Sequence, residues 1–188
     1  SNTIWLCTGG SGLLRYDYLR GEFGAIEEVN KISLFIRHLL PDGALFWLAT
    51  DNGLVVYDWK KNKVVKHIII NTNGSNVCYA VQKDDKGFYW VSTNLGIYKI
   101  NAQYEIIQRY NTGNGLSFLE YNTACTLKDS SGALHFGGVG GITNFNPLHL
   151  KQNNFSPMPL VTAINVNDKS WPLQINPNLV NELDFTNK

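Results

Sequence analysis

One strand–turn–strand motif occurs four times in this chain of 188 residues, and its spacing limits the folds that the chain can form. In each copy a glycine follows an anchor residue by six or seven positions. The anchors are Trp5, Trp47, Trp90 and His135, which are 42, 43 and 45 residues apart. A period in the forties with strand-type residues is typical of β-propeller blades, whereas helical repeats would place apolar residues three and four apart.

The third repeat shows how one blade is built. The residue pattern predicts an inner strand over 76–82, a second strand over 88–93, a third over 97–101 and an outer strand over 105–110. The inner strand is the most apolar, and turns rich in Asp, Asn and Gly separate the strands. A blade buries its faces only by stacking on its neighbours, so Trp47 and Trp90 are expected in the core.

The motif therefore predicts an all-β chain of four-stranded antiparallel blades that form part of a propeller. The blades are expected at residues 1–28 (partial), 33–70, 76–110 and 122–147 (partial), followed by a linker at 148–158 and the start of a β-sandwich module at 159–188. Because two of the four blades are incomplete, we expect residues 1–147 to be the C-terminal blades of a longer propeller.

Composition and charge exclude several classes of function. The chain has 44% hydrophobic residues, and its 16 basic and 15 acidic residues are interspersed, with a net charge of +1. No basic run suggests a nucleic-acid partner or contact with an anionic membrane, and no apolar stretch approaches the ~20 residues of a membrane span. The three cysteines, Cys7, Cys78 and Cys125, form no C-x-x-C pair and are expected to be small buried thiols.

The repeat resembles a known family. The stretches from Asp84 to Ile97 and from Asp42 to Asp58 are similar to the two-component regulator propeller repeat, with the pattern D-x-x-G-x-x-W-x-x-T-x-x-G-L-x-x-Y-D. Residues 115–147 resemble the last blade of that family, in which the tryptophan is replaced and F-G-G follows. Residues 159–166 resemble the opening of the Tyr-rich immunoglobulin-like domain that follows these propellers.

The resemblance implies a role in signal transduction. It implies the periplasmic sensor region of an inner-membrane hybrid two-component system, in which the propeller binds a glycan or oligosaccharide. The histidine kinase and the transcription regulator would belong to other domains, so this segment is expected to be non-catalytic and to need no cofactor. Its expected partners are the oligosaccharide, the remainder of the same propeller and a second copy in a homodimer.

No residue pattern points to catalysis or to a metal. The four histidines lack metal-ligand spacing, and His135, at a tryptophan position, is expected to pack. Asp42, Asp84 and Asp129 recur at blade turns and are expected to cap the turn backbone. The glycine run at 137–141 lacks the lysine and the following helix of a phosphate loop, so it is expected to be a strand turn.

Ligand-binding residues are expected where the inner strands begin, at the mouth of the ring. The residues there with aromatic faces or planar polar groups suited to sugars are Arg37, His38, Asn76, Tyr79, Tyr121 and Asn122. Each of them could instead be a turn or core residue, and Asn76 and Asn122 are assigned matching positions that suit turn capping. Two other functions stay open, which are a dimerisation scaffold that pairs through exposed strand edges and a propeller lyase or glycosidase.

Overall fold

The computed structural model describes residues 2–72 and 74–150, together with the backbone of Ile164–Val166 and Lys169–Trp171. The chain divides into two units, Ser1–Leu150 and Lys151–Lys188. The second unit contains the antiparallel strands β15 (Ile164–Val166) and β16 (Lys169–Trp171). The rest of the predicted sandwich module, and most of the predicted linker, lie outside the described residues.

The first unit consists of four antiparallel sheets in chain order, and the predicted all-β fold is confirmed. The first sheet contains β1 (Thr3–Cys7), β2 (Leu13–Asp17) and β3 (Glu22–Ala25), and the second contains β4 (Ile36–Asp42), β5 (Leu45–Thr50), β6 (Gly53–Asp58) and β7 (Lys63–Ile68). The third contains β8 (Cys78–Lys83), β9 (Tyr89–Thr93), β10 (Gly96–Ile100) and β11 (Ile106–Tyr110), and the fourth contains β12 (Tyr121–Lys128), β13 (Leu134–Gly138) and β14 (Gly141–Phe145). A short helix, α1 (Glu27–Asn30), and a 3-10 turn, Thr112–Asn114, connect sheets.

The hydrophobic core lies between consecutive sheets, because neither face of a single blade can be buried within that blade. The tryptophan of each motif packs on the next sheet along the chain. The ring centroid of Trp5 lies 5.0 Å from that of Phe46, and Trp47 stacks on Tyr89 at 3.5 Å. Trp47 and Trp90 are fully buried, as the repeat predicts.

Backbone hydrogen bonds also join consecutive sheets at their turns. The glycine of the motif donates its N–H to a carbonyl just before the next inner strand, and the pairs are Gly12 to Leu34 at 2.8 Å, Gly53 to Asn76 at 2.8 Å and Gly96 to Leu119 at 2.9 Å. Gly96 has a φ of 106°, and a Cβ atom there would collide with the carbonyl oxygen of Tyr110. Glycine is therefore required both by the backbone conformation and by the close approach.

The glycine run of the last sheet accommodates bulky neighbours. A Cβ atom at Gly138 or Gly140 would collide with the Phe118 ring, and one at Gly137 would collide with the sulfur of Cys125. The run therefore makes room for side chains from the preceding loop and from β12. This arrangement agrees with the predicted structural role.

The prediction of buried thiols is wrong for two cysteines. Cys78 is buried, and burial raises the pKa of its thiol, whereas Cys7 and Cys125 are exposed. Cys7 lies in β1, which pairs with β2 on one side and has no partner strand on its other side among the described residues. Cys125 lies in the irregular part of β12, where an apolar neighbourhood in the sequence does not mean burial.

The turn aspartates differ in a way that the sequence did not predict. Asp84 accepts backbone N–H groups of Lys86 and Phe88, both at 2.9 Å, and Asp129 caps its own turn in the same manner. Asp42 does not cap its turn. It accepts from Lys83 (2.7 Å) and from the Tyr89 hydroxyl, both on the next sheet, because its own turn is one residue shorter.

Candidate functional site

The inner strands of three consecutive sheets carry an irregularity at the same level. The register shifts between Ile36 and His38 in β4, between Cys78 and Ala80 in β8, and over 121–126 in β12. A β-bulge leaves the extra residue outside the ladder and re-aims its side chain. Since β4, β8 and β12 also contact one another, the irregular residues of three blades face a common space.

Three of these residues meet and form what we call the inner-strand cluster, which consists of Arg37, Tyr79 and Thr123. The guanidinium carbon of Arg37 lies 5.3 Å from the centre of the Tyr79 ring. One guanidinium nitrogen, Nη1, donates to the hydroxyl of Thr123 at 3.2 Å. Arg37 and Tyr79 were predicted from the sequence as ligand residues, whereas Thr123 was not. The cluster joins side chains that are 86 residues apart in the chain.

The guanidinium of Arg37 has few partners among the described residues. No carboxylate within 4.0 Å pairs with it in the part of the chain that the structure describes. Its Nε atom is enclosed and has no hydrogen-bond partner among those residues. A guanidinium has five N–H donors, and the structure shows Arg37 using one of them, toward Thr123, so its outer N–H groups retain capacity for another acceptor.

His38 is engaged in joining two blades. Its Nδ1 atom accepts the backbone N–H of Val81 in β8 at 3.2 Å. Burial lowers the pKa of His38, because a low-dielectric environment disfavours the imidazolium. The neutral ring is the form that can accept this hydrogen bond. The structure thus places His38 beside the cluster in a supporting position.

The predicted match between Asn76 and Asn122 is wrong. The carbonyl of Asn76 accepts the N–H of Gly53, and the equivalent acceptor one blade later is Leu119. Asn122 instead follows Tyr121, which is equivalent to Cys78, so Asn122 begins the irregular segment. The error is one of register, because both asparagines precede apolar residues and sequence alone does not show where a strand becomes irregular.

The remaining predicted residues are separated from the cluster by their burial or by their partners. The side chain of Asn76 accepts the N–H of Asn71 at 2.8 Å and so caps a turn. Tyr121 is 1% exposed, packs among core aromatics and shares a hydrogen bond with Thr143 at 2.9 Å. Asn122 is exposed near the cluster. The role of these residues in ligand binding stays a prediction.

Polar groups at the blade turns form pairs that explain the recurring motif. Trp90 donates its indole N–H to Asp84 at 2.8 Å, and His135 makes the corresponding contact with Asp129 at 2.8 Å. Hydrogen bonds from Ser131 and His135 lower the pKa of Asp129. His135 thus replaces the hydrogen bond of a tryptophan. Among the described residues, no three His, Cys, Asp or Glu side chains form a group suited to a metal ion.

Comparison with known proteins gives one curated relative. The chain is 29% identical over 124 residues to histidine kinase P4 of Formosa agariphila, and the match covers 65% of this chain and 9% of that protein. The chain thus corresponds to a small part of that relative. No protein-family model matches the chain. Within the described residues, no helix has the length and apolar character needed to cross a membrane.

Solved structures give the same result at the level of fold. The extracellular domain of the hybrid two-component system BT3049 of B. thetaiotaomicron is 22% identical, with a TM-score of 0.69 over 91% of this chain and 25% of that one. Two structures of the extracellular domain of BT4673 from the same species are 25% and 24% identical. Their TM-scores are 0.63 and 0.64, over 78% of this chain and 22% of theirs. The resemblance predicted from the repeat is confirmed, since the chain has the fold of the extracellular domains of hybrid two-component systems and matches a histidine kinase in sequence.

Proposed function

We propose that this chain is part of the ligand-binding periplasmic domain of a hybrid two-component sensor, and that its inner-strand cluster contributes to binding an oligosaccharide. The observation that carries the proposal is the convergence of Arg37, Tyr79 and Thr123 from three blades. Sites built where several elements meet at irregular backbone are typical of binding proteins. The similarity to extracellular domains of two-component systems supports the location and the sensor role.

The chemistry of the cluster suits a sugar. The Tyr79 ring offers an aromatic face to C–H groups, and its hydroxyl can both donate and accept. The free N–H groups of Arg37 can donate to ring or hydroxyl oxygens, and Thr123 adds a short polar group. Few polar groups against an aromatic surface are the usual composition of a small-molecule site.

The rest of the signalling pathway belongs to other segments under this proposal. The chain spans 9% of the curated relative and at most a quarter of the solved extracellular domains described above. Kinase activity, membrane anchoring and transcription regulation would therefore reside elsewhere in the protein. The segment itself would bind ligand and transmit the bound state without catalysis.

The test is a calorimetric titration of the chain with a panel of oligosaccharides, repeated with Arg37→Gln. Glutamine removes the charge and most of the donors, so we expect affinity for the binding glycan to fall at least tenfold, or by more than about 1.4 kcal/mol. Arg20→Gln is the matched control, since the Arg20 side chain is 75% exposed in a turn of the first sheet. Absence of binding to every glycan, or equal loss in both variants, would contradict the proposal.

A second candidate function, a dimerisation scaffold, is favoured by apolar faces at the two ends of the first unit. On the first sheet Phe23 is 66% exposed and Ile4 is 48% exposed. On the last sheet Ile142 is 73% exposed and Leu127 is 60% exposed. Multi-angle light scattering across a concentration series tests this function, and a constant monomer mass at high concentration would exclude it.

A further inference from the structure

A cavity of about 340 Å³ opens between the first and second sheets, away from the inner-strand cluster. Its wall includes the turn that follows β6. This turn lies beside Asp42, the last residue of β4, whereas Arg37 lies near the start of β4. Arg37 and Asp42 are five residues apart along β4, which corresponds to about 17 Å. The volume falls within the roughly 300–1,000 Å³ typical of small-molecule sites.

Three aromatic rings form walls whose positions are fixed by other contacts. Trp5 packs edge-on against Phe46, and Trp59 donates its indole N–H to the carbonyl of Gly43 at 3.2 Å. The Tyr57 hydroxyl donates to Oδ1 of Asn62 at 2.6 Å. Tyr57 is 1% exposed, whereas Trp5 and Trp59 are half-buried, so the two indole rings can accept a flat apolar face without losing side-chain freedom on binding.

Asn62 is itself held in an uncommon conformation. Its φ is 51°, which is in the left-handed region, although it is not a glycine. Asparagine tolerates this region better than most residues, and its hydrogen bond with Tyr57 helps to hold it there. The turn that forms this wall is thus set by local contacts.

The cavity also has two cations and no lining carboxylate. Arg15 and Lys60 lie in its wall, together with Thr3, Ala25 and Ile26. Neither cation makes an ion pair within residues 2–72 and 74–150. The Lys60 ammonium lies 5.5 Å from the centre of the Trp59 ring, so a cation and an aromatic face are presented together. A guanidinium and an ammonium beside aromatic walls suit an anion attached to an apolar ring face.

We propose that this cavity is a second binding site, which takes a monosaccharide-sized sugar acid. The sugar ring would lie against Trp5 or Trp59, and its carboxylate would pair with Arg15 and Lys60. The site is separate from the inner-strand cluster and does not depend on it. It would let the domain respond to a small acidic sugar independently of a longer ligand.

The tryptophans in the wall allow a direct test by intrinsic fluorescence. The full chain is titrated with D-glucuronate, with D-glucose as the neutral analogue and with sodium sulfate at matched ionic strength. We expect saturable quenching by glucuronate, with affinity at least tenfold weaker for glucose and for sulfate. The double variant Arg15→Gln/Lys60→Gln should lose at least tenfold in glucuronate affinity.

A matched control variant separates the site from net charge. Lys66→Gln/Lys86→Gln removes two exposed cations that do not line the cavity, and it should bind glucuronate like the parent chain. The proposal is overturned if glucuronate gives no saturable response, if sulfate binds as tightly as glucuronate, or if both double variants lose affinity equally. The oligosaccharide titration with Arg37→Gln reports on the inner-strand cluster and the glucuronate titration with Arg15→Gln/Lys60→Gln reports on this cavity, so failure of one proposal is distinguishable from failure of the other.

Discussion

At the residue scale, one position of the repeat shows how hydrogen bonding determines the side chain that fits. Asp84 accepts two backbone N–H groups with one oxygen and the Trp90 indole with the other. His135 offers the same kind of N–H to Asp129 from a smaller ring. The replacement of tryptophan by histidine is therefore chemically conservative at the turn, even though it removes most of the aromatic area. The space between the sheets limits the size of the ring at this position, and the hydrogen bond to the aspartate requires that the ring carry an N–H group.

His38 gives a prediction for pH dependence. Burial lowers its pKa in the folded protein, so the unfolded chain binds this proton more readily, at a pKa near 6.5. The stability that the neutral His38 ring contributes is therefore fully present above about pH 6.5. This stability is lost as the pH falls through the pKa of His38 in the folded protein. We expect His38→Gln to reduce the loss of unfolding free energy between pH 7.5 and pH 5.0, measured by urea denaturation.

His149→Gln is the control for this experiment, because His149 is exposed. It should retain the pH dependence of the parent chain. If the His38→Gln variant loses stability on acidification as steeply as the parent does, His38 is not the titrating group.

At the scale of the element, each four-stranded sheet depends on turns that place glycine in the left-handed region. Gly96 and Gly87 both belong to the third blade, with φ values of 106° and 85°. Only Gly96 lies against a neighbouring backbone, whereas a Cβ atom at Gly87 would meet nothing within 4 Å. The two positions therefore separate conformational strain from close approach.

We expect Gly87→Ala to cost about 1–2 kcal/mol of unfolding free energy, which is the usual penalty for an L-residue in this region. Gly96→Ala should cost about 1–3 kcal/mol more, because the methyl group collides with the carbonyl of Tyr110. Denaturant unfolding of both variants checks this difference. Equal costs would show that the backbone near Tyr110 moves aside freely.

The sequence predicted the strands well because the tryptophan and glycine of each repeat mark where its strands and turns lie. The spacing of Trp47, Trp90 and their glycines locates both complete sheets. The candidate site was predicted only in part, since a bulge depends on the partner strand and has no local signal at Arg37 or Tyr79. Thr123 could not be inferred, because its neighbour across the cluster is 86 residues away.

At the scale of the whole molecule, the first unit is a row of sheets whose interfaces each contain a tryptophan. Trp47 is 1% exposed and stacks on Tyr89 of the next sheet. The energy that holds two sheets together is thus concentrated in a few large side chains. In repeat architectures stability is approximately the sum of each unit and its interfaces with neighbours.

Trp47→Ala should therefore cost about 3–5 kcal/mol, the usual range for truncating a large core aromatic. Phe23→Ala is the control, since Phe23 is 66% exposed on the outer face of the first sheet, and its cost should be below about 1 kcal/mol. Thermal and urea unfolding monitored by circular dichroism measure both. Similar costs for the two variants would contradict an interface held by Trp47.

The backbone bonds between consecutive sheets have a consequence for how such a scaffold diversifies. Each uses a glycine N–H and a carbonyl, and the acceptor residues are leucine, asparagine and leucine. Because a peptide carbonyl is the same whichever side chain it carries, the acceptor position is free to mutate while the link persists. The irregular inner-strand residues that follow are then variable positions on a constant frame. New recognition properties can evolve there, or be grafted by protein engineering, without any change in the backbone hydrogen bonds that join the blades.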